Sequence, residues 1–129
     1  YVPVRIYSKE AKDLTLFEEK SCGKLVSSGS IYSVYVECCT PDKKIPNRVY
    51  LAKENGKIVG WSIIRLKKKI GLRGYFEFMV YIKRLYRRTG IATKMYKRSR
   101  KYFNLEDDDI KVYKTDKANI NFFYSVMES

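Results

Sequence analysis

Hydrophobic and polar residues alternate most clearly in the middle of the chain, and this alternation predicts β-strands. Two strand-like runs, Val49–Ala52 and Ile58–Leu66, flank the dipeptide Asn55-Gly56. Asn-Gly is typical of a tight β-hairpin turn, because both residues accept the positive φ angles that this turn requires. A third strand is predicted over Tyr75–Ile82, where every residue except one glutamate is apolar or aromatic.

After Gly90 the spacing of apolar residues lengthens from two to about 3.6 positions, which predicts a helix. Lysines and arginines occupy the other faces of this helix, so it is predicted to be amphipathic. The predicted buried face consists of Ile91, Ala92, Met95, Tyr96, Ser99, Tyr102 and Phe103. An acidic loop, a short strand over Ile110–Lys114 and a helix over Lys117–Met127 are predicted to follow.

The first third of the chain gives weaker signals. Val2–Ser8 alternates like a strand, and the next residues have helical spacing, with Ser8 as the candidate N-cap. Residues 27–39 are ambiguous between helix and strand, and Thr40–Asn47, which contains two prolines, is predicted to be a loop. Taken together, the elements predict an α/β fold, a mixed sheet covered by helices, in one domain over residues 1–129.

The charge of the chain predicts an anionic partner. Lysine and arginine number 27 against 14 aspartates and glutamates, which gives a formal net charge of +13. Phosphate groups, nucleic acid and acidic protein surfaces all fit such a balance.

Missing residue types exclude several kinds of site. The chain has no histidine, which excludes His-based triads, histidine general bases and mixed Cys/His metal sites. Cys22, Cys38 and Cys39 form no C-x-x-C pair, so we expect reduced thiols and no metal site. No apolar run approaches the roughly 18 residues of a membrane span, and no signal-peptide pattern is present. We therefore expect a cytoplasmic protein without a membrane partner.

The loop between the third strand and the helix after Gly90 suits a phosphate group. Helix N-termini present unpaired N–H groups and a partial positive charge. Gly90 lets an anion approach the backbone, and the small Ala92 keeps the first turn open. Arg87 and Arg88 can add charge-assisted hydrogen bonds, so this loop is predicted to hold a pyrophosphate.

A family resemblance starts from this loop. Arg87-Arg88-Thr89-Gly90-Ile91-Ala92 is similar to the Arg/Gln-x-x-Gly-x-Gly/Ala signature of the GNAT acyltransferase superfamily, whose members use acetyl-coenzyme A. The hairpin before it resembles the family's second and third strands, and Lys117–Tyr124 resembles the family's Asn-x-x-Ala-x-x-Phe/Leu-Tyr helix. The resemblance covers residues 48–126. It implies a central sheet that is mostly antiparallel, with a parallel splayed pair of strands.

The C-terminus departs from the family pattern. Glu128-Ser129 stands where the family usually reads Gly-Phe, so we expect the last strands of the fold to be short, missing or supplied by a partner. An exposed sheet edge at that point would favour a homodimer.

The resemblance also implies where the cofactor, acetyl-coenzyme A, would bind. The amides of Arg87, Arg88, Thr89, Gly90, Ile91 and Ala92 would hold its pyrophosphate. The backbone of Val80, Tyr81 and Ile82 would pair with its pantetheine arm, and an amide near Val80 or Tyr81 would polarise the thioester carbonyl. Lys117, which replaces the usual Asn, is assigned to the cofactor as well.

Two residues are candidates for proton transfer. Tyr124 matches the family's tyrosine that protonates the departing thiolate, and the alternative is an aromatic core residue. Glu77 is the only acidic residue of the third strand, and its apolar neighbours suit a carboxylate that deprotonates an amine. The alternative for Glu77 is a salt bridge to a lysine or arginine on an exposed sheet face.

The favoured hypothesis is an N-acetyltransferase that works by direct attack of a primary amine on acetyl-coenzyme A. The acceptor would be a protein lysine, a protein N-terminus or an amine carried on nucleic acid. A second hypothesis is a GNAT-like module that has lost catalysis and binds nucleic acid or an acidic protein through basic and aromatic residues. A third is a pure interaction protein.

Overall fold

The computed structural model describes residues 3–25, 45–67 and 74–112. Its strands and helices, in chain order, are β1 (Arg5–Lys9), α1 (Leu16–Leu25), β2 (Asn47–Glu54), β3 (Lys57–Lys67), β4 (Tyr75–Ile82), α2 (Ile91–Tyr102) and β5 (Ile110–Val112). Single 3-10 turns lie at Ala11–Asp13, Arg84–Tyr86 and Asp107–Asp109. The predictions for residues 27–39, for the helix Lys117–Met127 and for the C-terminal strands lie outside the described residues.

The five strands form one mixed sheet in the order β1-β2-β3-β4-β5. Strands β1 to β4 are antiparallel to their neighbours, and β5 runs parallel to β4. This confirms the predicted α/β fold with its parallel strand pair. Asn55 and Gly56 have φ angles of 52° and 81°, as the predicted hairpin turn requires. β2 extends beyond the predicted Val49–Ala52 because cross-strand pairing with β3 also holds the polar residues at its ends.

One helix covers each face of the sheet, because successive side chains of a strand point to opposite faces. On the first face, Ala11 and Cys22 pack against side chains of β2, β3 and β4, with Trp61 fully buried at the centre. On the second face, α2 packs through Ile91, Met95 and Tyr96 against the alternate residues of the same strands. The described helices therefore share a single sheet and bury both of its faces.

Tyr102 was predicted on the buried face of α2, and this prediction is wrong. Its side chain is 53% exposed, and the guanidinium of Arg48 lies 4.7 Å from its ring centroid. Tyr102 is the last residue of α2 and follows the helical spacing of the buried residues. The sheet does not cover this position, so the side chain stays exposed.

The predicted N-cap Ser8 is also wrong, since Ser8 lies inside β1. Helix α1 begins at Leu16, directly after Thr15. The hydroxyl of Thr15 accepts a hydrogen bond from the N–H of Glu18 (3.1 Å). The Glu18 carboxylate accepts one in return from the N–H of Thr15 (2.9 Å), which completes a capping box. The sequence Thr-x-x-Glu carries this signal, and it identifies the start of α1 better than Ser8 does.

Glu18 also ties α1 to the sheet. Its buried carboxylate lies 2.7 Å from Lys9 Nζ on β1 and 3.4 Å from Lys53 Nζ on β2. Burial alone would raise the pKa of Glu18, but hydrogen bonds from Lys9 and the Thr15 amide outweigh it and lower the pKa to about 2.

A second polar cluster holds the connection between α2 and β5. The hydroxyl of the buried Tyr96 donates to Asp107 (2.6 Å), and Arg100 pairs with the same carboxylate (2.8 Å). The Tyr96 hydrogen bond and the nearby Arg100 lower the pKa of Asp107, while burial and Asp107 raise the pKa of Tyr96. Because Asp107 lies three residues before Ile110, this cluster places the start of β5 beside β4.

Neither a membrane-spanning helix nor a metal site is present in the described ranges. None of their helices has the length and apolar character needed to cross a membrane. In the same ranges no group of acidic or cysteine side chains is arranged to hold a metal ion. Cys22 is a buried thiol, and Cys38 and Cys39 lie outside the described residues.

We expect the Glu18→Gln substitution to remove a pH-dependent part of the stability. The pKa of Glu18 is about 2 in the folded protein, below the value of 4.5 that applies to the unfolded chain. The ionised carboxylate therefore stabilises the fold above pH 4.5, and this stabilisation is lost as the pH falls toward 2. At neutral pH the variant should therefore be less stable by about 1–3 kcal/mol. Urea unfolding of both proteins across the acid range tests this, and parallel curves with a constant gap would contradict it.

Candidate functional site

The candidate site begins at the end of β4, beyond its pairing with β5. Within the described residues, β5 pairs with β4 at Phe76, Glu77 and Phe78. Beyond Phe78, the last four residues of β4 have no partner strand on that side within the described residues. One half of this edge therefore presents backbone groups that another extended chain can pair with.

Two hydrogen bonds show which backbone groups face the open edge. The N–H of Lys83 donates to the Val59 carbonyl on β3 (2.8 Å), and the Ile82 carbonyl accepts a bond from Arg87 Nε (3.0 Å) on the other side. Because backbone groups alternate along a strand, Val80 points its N–H and C=O toward the open edge, as Ile82 does. Of the two amides that sequence analysis proposed for the thioester carbonyl, Val80 and not Tyr81 therefore faces the opening.

Arg87 closes the far end of this edge. Besides its bond to Ile82, its guanidinium lies 5.7 Å from the ring centroid of Tyr81. This positioned cation differs from the expectation that both arginines of the motif simply add phosphate contacts. Arg88 and the neighbouring Arg84 are exposed and have no ion pair in the described part of the chain.

The loop that follows β4 is held in a tight conformation. The Thr89 hydroxyl donates to the Tyr86 carbonyl (2.6 Å), and the Tyr86 N–H donates to the Lys83 carbonyl (2.8 Å). Arg88 and Gly90 have φ angles of 63° and 86°, in the left-handed region. Thr89 thus stabilises the loop through the bond from its side chain to the Tyr86 backbone. Arg88 and Gly90, in the left-handed region, turn the chain into α2.

The N-terminus of α2 follows the loop after β4, and its first amides lack acceptors among the described residues. The first helical hydrogen bond runs from the Lys94 N–H to the Gly90 carbonyl (3.0 Å). The N–H groups of Ile91, Ala92 and Thr93 therefore have no acceptor within the described residues. A Cβ added at Gly90 would meet no atom within 4 Å, so the space beside Gly90 is open. This combination of free amides and helix dipole suits phosphate oxygens.

Two contacts from the hairpin support this loop and were not foreseen from the sequence. The hydroxyl of Tyr86 donates to the carboxylate of Glu54 at the end of β2 (2.9 Å), and this bond raises the pKa of Tyr86. Gly60 lies opposite Ile82, and a Cβ there would be 3.1 Å from the Tyr81 carbonyl oxygen. Neither contact follows a local sequence signal, because each depends on the pairing of distant strands.

Glu77 lies on the same strand as Val80 but on the face covered by α1. Its carboxylate is 9% exposed and lies 3.4 Å from Arg65 and 3.3 Å from Lys67 on β3. The salt bridge that was the alternative interpretation of Glu77 is therefore present, although it is buried and does not lie on an exposed face. Arg65 sits directly across from Glu77 in the β3–β4 register, which explains the pairing.

The structure brings most of the predicted site together. Val80, Tyr81 and Ile82 form the end of β4, and Arg87–Ala92 form the adjoining loop and first turn of α2. Tyr124 and Lys117 lie outside the described residues, and their roles remain predictions from the family resemblance.

Comparisons with known proteins agree with this geometry. Residues 14–126 match the family model described as the acetyltransferase (GNAT) family. A comparison with curated protein sequences found no match.

Solved structures show the same fold. One is an aminoglycoside acetyltransferase from an uncultured soil metagenomic sample, in complex with sisomicin (TM-score 0.65, 16% identity, 95% of this chain and 86% of that one covered). Another is an aminoglycoside N-acetyltransferase in complex with coenzyme A (TM-score 0.65, 11% identity, 99% and 87% covered). A third is the glucosamine-6-phosphate N-acetyltransferase of Arabidopsis thaliana (TM-score 0.58, 13% identity, 98% and 92% covered).

We expect Gly60→Ala to disturb the end of β4. The added methyl group would approach the Tyr81 carbonyl oxygen to 3.1 Å and Cδ1 of Ile82 to 2.6 Å. The Ile82 side chain must therefore move, and the backbone of β4 at Tyr81 must move slightly away from β3. The free energy of unfolding, measured with urea, should fall by about 1–3 kcal/mol.

Ser62→Ala is the matched control, because Ser62 lies two residues further along β3, opposite Val80. Its buried hydroxyl has no hydrogen-bond partner in the described part of the chain, so its removal should leave the stability unchanged or slightly higher. Equal losses for the two variants would contradict the close-approach argument.

Proposed function

Because the chain belongs to the GNAT acetyltransferase family and is an acetyl-CoA-dependent N-acetyltransferase, we propose that the open edge of β4 and the N-terminus of α2 form its cofactor site. The observation that carries this proposal is their adjacency. Within the described residues, the outer edge of Val80 has no partner strand. The loop that follows β4 leads to Gly90, which has open space beside it, and to the α2 amides.

The residues present fit acetyl-CoA. The pyrophosphate would be held by the amides of Ile91, Ala92 and Thr93, with Arg88 free to add charge. The pantetheine arm would extend along the open edge and pair with Val80 as an added strand does. Arg87, fixed against the Ile82 carbonyl, would border the passage between these two parts.

When bound, acetyl-CoA supplies the activated thioester whose acetyl group is transferred. The Val80 N–H, which points to the open edge, would donate a hydrogen bond to the oxygen that gains negative charge during attack. This donor is rigid because β4 is paired with β3 along its whole length. A preorganised donor of this kind costs no reorganisation when the charge develops.

We assign the deprotonation of the attacking amine to Glu77. Its pairing with Arg65 and Lys67 fixes the position of the carboxylate, the group that would accept the proton. Glu77 lies three residues from Val80, or about 10 Å along the strand. One water molecule does not span this distance, so the proton would pass to Glu77 through a chain of water molecules. Tyr124 remains the acid that the family resemblance predicts for the departing thiolate.

The charge of the chain favours a primary amine on an anionic carrier. A protein with a net charge of +13 attracts anions and repels polycations over long range. Among the acceptors named for similar structures, glucosamine 6-phosphate carries phosphate, whereas sisomicin is a polycation at neutral pH. We therefore expect phosphate-bearing or nucleic-acid-bound amines to be better acceptors than aminoglycosides.

The cofactor site is tested with Gly90→Glu and calorimetric titration of acetyl-CoA. The new carboxylate would project in front of the α2 amides and repel the pyrophosphate, so binding should weaken at least about 100-fold. Wild type should bind in the micromolar range that is ordinary for enzyme substrates.

Gly56→Glu is the matched control. Gly56 also has a left-handed φ angle (81° against 86°) and open space around its Cβ position, so both variants carry the same charge and similar backbone strain. Only Gly90 precedes a helix, and only Gly90→Glu should lose acetyl-CoA. Absence of binding by wild type, or equal losses in both variants, would refute the proposed site.

The base is tested with Glu77→Gln. The amide keeps the size of the side chain but cannot accept the proton, so kcat should fall by about 10²–10⁴ while the Kd for acetyl-CoA stays unchanged. Release of the coenzyme A thiol is followed with glucosamine 6-phosphate, poly-lysine and sisomicin as acceptors.

Glu18→Gln controls for the loss of a buried, doubly paired carboxylate, because Glu18 contacts two cations on the same side of the sheet. The rate should be normal in this control under conditions where it is folded. A normal rate in Glu77→Gln as well would leave Glu77 a purely structural ion-pair residue.

A further inference from the structure

One charged surface takes no part in the reaction proposed above. Lys94, Lys97, Arg98 and Lys101 lie on α2, and we call them the basic ridge. Each of them has another member of the ridge three or four positions away. This spacing places them in one row on the same side of the helix. All four are exposed, on the side away from the buried Met95 and Tyr96.

The four charges of the basic ridge are not neutralised by carboxylates within the described residues. Arg100, on another face of α2, does pair with a carboxylate, that of Asp107. Like charges one turn apart repel each other and destabilise a helix. A polyanion lying along the ridge would relieve this repulsion.

An aromatic platform lies at the C-terminal end of the ridge. The guanidinium of Arg48 is stacked over Tyr102, 4.7 Å from its ring centroid, and donates to Ser8 Oγ (3.0 Å). Arg98 donates to the Ile6 carbonyl of β1 (3.3 Å), so it lies close to the same strand edge. Tyr102 is 53% exposed in spite of these neighbours.

We propose that the basic ridge and Tyr102 bind a nucleic-acid strand, with the sugar–phosphate backbone on the ridge and a base on Tyr102. The ridge spans eight residues of helix, or about 10 Å, which suits the regular charges of two or three successive phosphates. An exposed tyrosine beside fixed arginines is suited to stacking of a base. An acidic protein surface has no equivalent need for the aromatic ring, so the platform favours nucleic acid.

This inference goes beyond the proposed reaction, because the strand would bind whether or not it carries the acceptor amine. The ridge continues from the same helix whose N-terminus faces the cofactor site, and its last three members lie one turn or more from Gly90. A nucleic acid and acetyl-CoA can therefore occupy α2 at the same time.

The test is fluorescence anisotropy with labelled single strands of about 20 nucleotides, as RNA and as DNA of the same sequence. A variant with Lys97→Gln, Arg98→Gln and Lys101→Gln is compared with wild type at several salt concentrations. Affinity should fall at least about tenfold, and the slope of log K against log salt should decrease by about 2, as expected for three lost phosphate contacts. A preference for RNA or for DNA identifies the natural strand.

A variant with Lys12→Gln, Lys20→Gln and Lys57→Gln is the matched control. It removes the same number of exposed charges from other parts of the molecule. Its affinity should change by less than about threefold, since long-range attraction alone is affected. Equal losses in both triple variants would refute the ridge as a site and indicate diffuse attraction.

Tyr102→Ala separates stacking from charge. It should weaken binding about fivefold or more without changing the salt slope, because it removes a stacked base and no phosphate contact. Poly-glutamate serves as the competing class of ligand. If it binds as tightly as the oligonucleotides and with the same dependence on the ridge, the surface recognises acidic protein and the proposal is wrong.

Discussion

Within the described part of the chain, strand β5 pairs with β4 over three residues, and the candidate site depends on this short overlap. A longer parallel ladder would satisfy the backbone of Val80 and close the edge that a pantetheine arm requires. The overlap is held in position by the Tyr96–Asp107–Arg100 cluster, which anchors the residues just before β5 to α2. The same helix therefore positions β5 through its middle and offers its amides to phosphate through its first turn.

Three acidic residues of this basic chain join elements of the fold. Glu18 pairs with two lysines, Glu77 with a lysine and an arginine, and Asp107 with an arginine and a tyrosine. Each of them joins separate elements of structure, because the partners are distant in sequence or lie on another element. This leaves the exposed cations of α2 and of the phosphate loop without carboxylate partners in the described residues, so the outer surface remains available to anions.

The two faces of α2 have different roles. Its buried face packs on the sheet and fixes the distance between the helix N-terminus and the open edge of β4. Its outer face carries a row of cations that packing does not require. A substrate with both a reactive amine and a polyanionic body would use both parts, and the single helix would set their relative position.

The sequence by itself determined the hairpin, the central strand, the amphipathic helix and the phosphate loop, because each rests on local patterns. Asn55-Gly56 needs only its own φ preferences, and Gly90 marks the start of α2 through the same conformational freedom. Tertiary structure decided what local patterns do not encode. Strand pairing turned the Val80 amide toward the opening, buried Glu77 between two cations and brought Gly60 against Tyr81. Tyr102 followed the helical period yet became exposed, because burial depends on what lies opposite a residue as well as on its place in the helix.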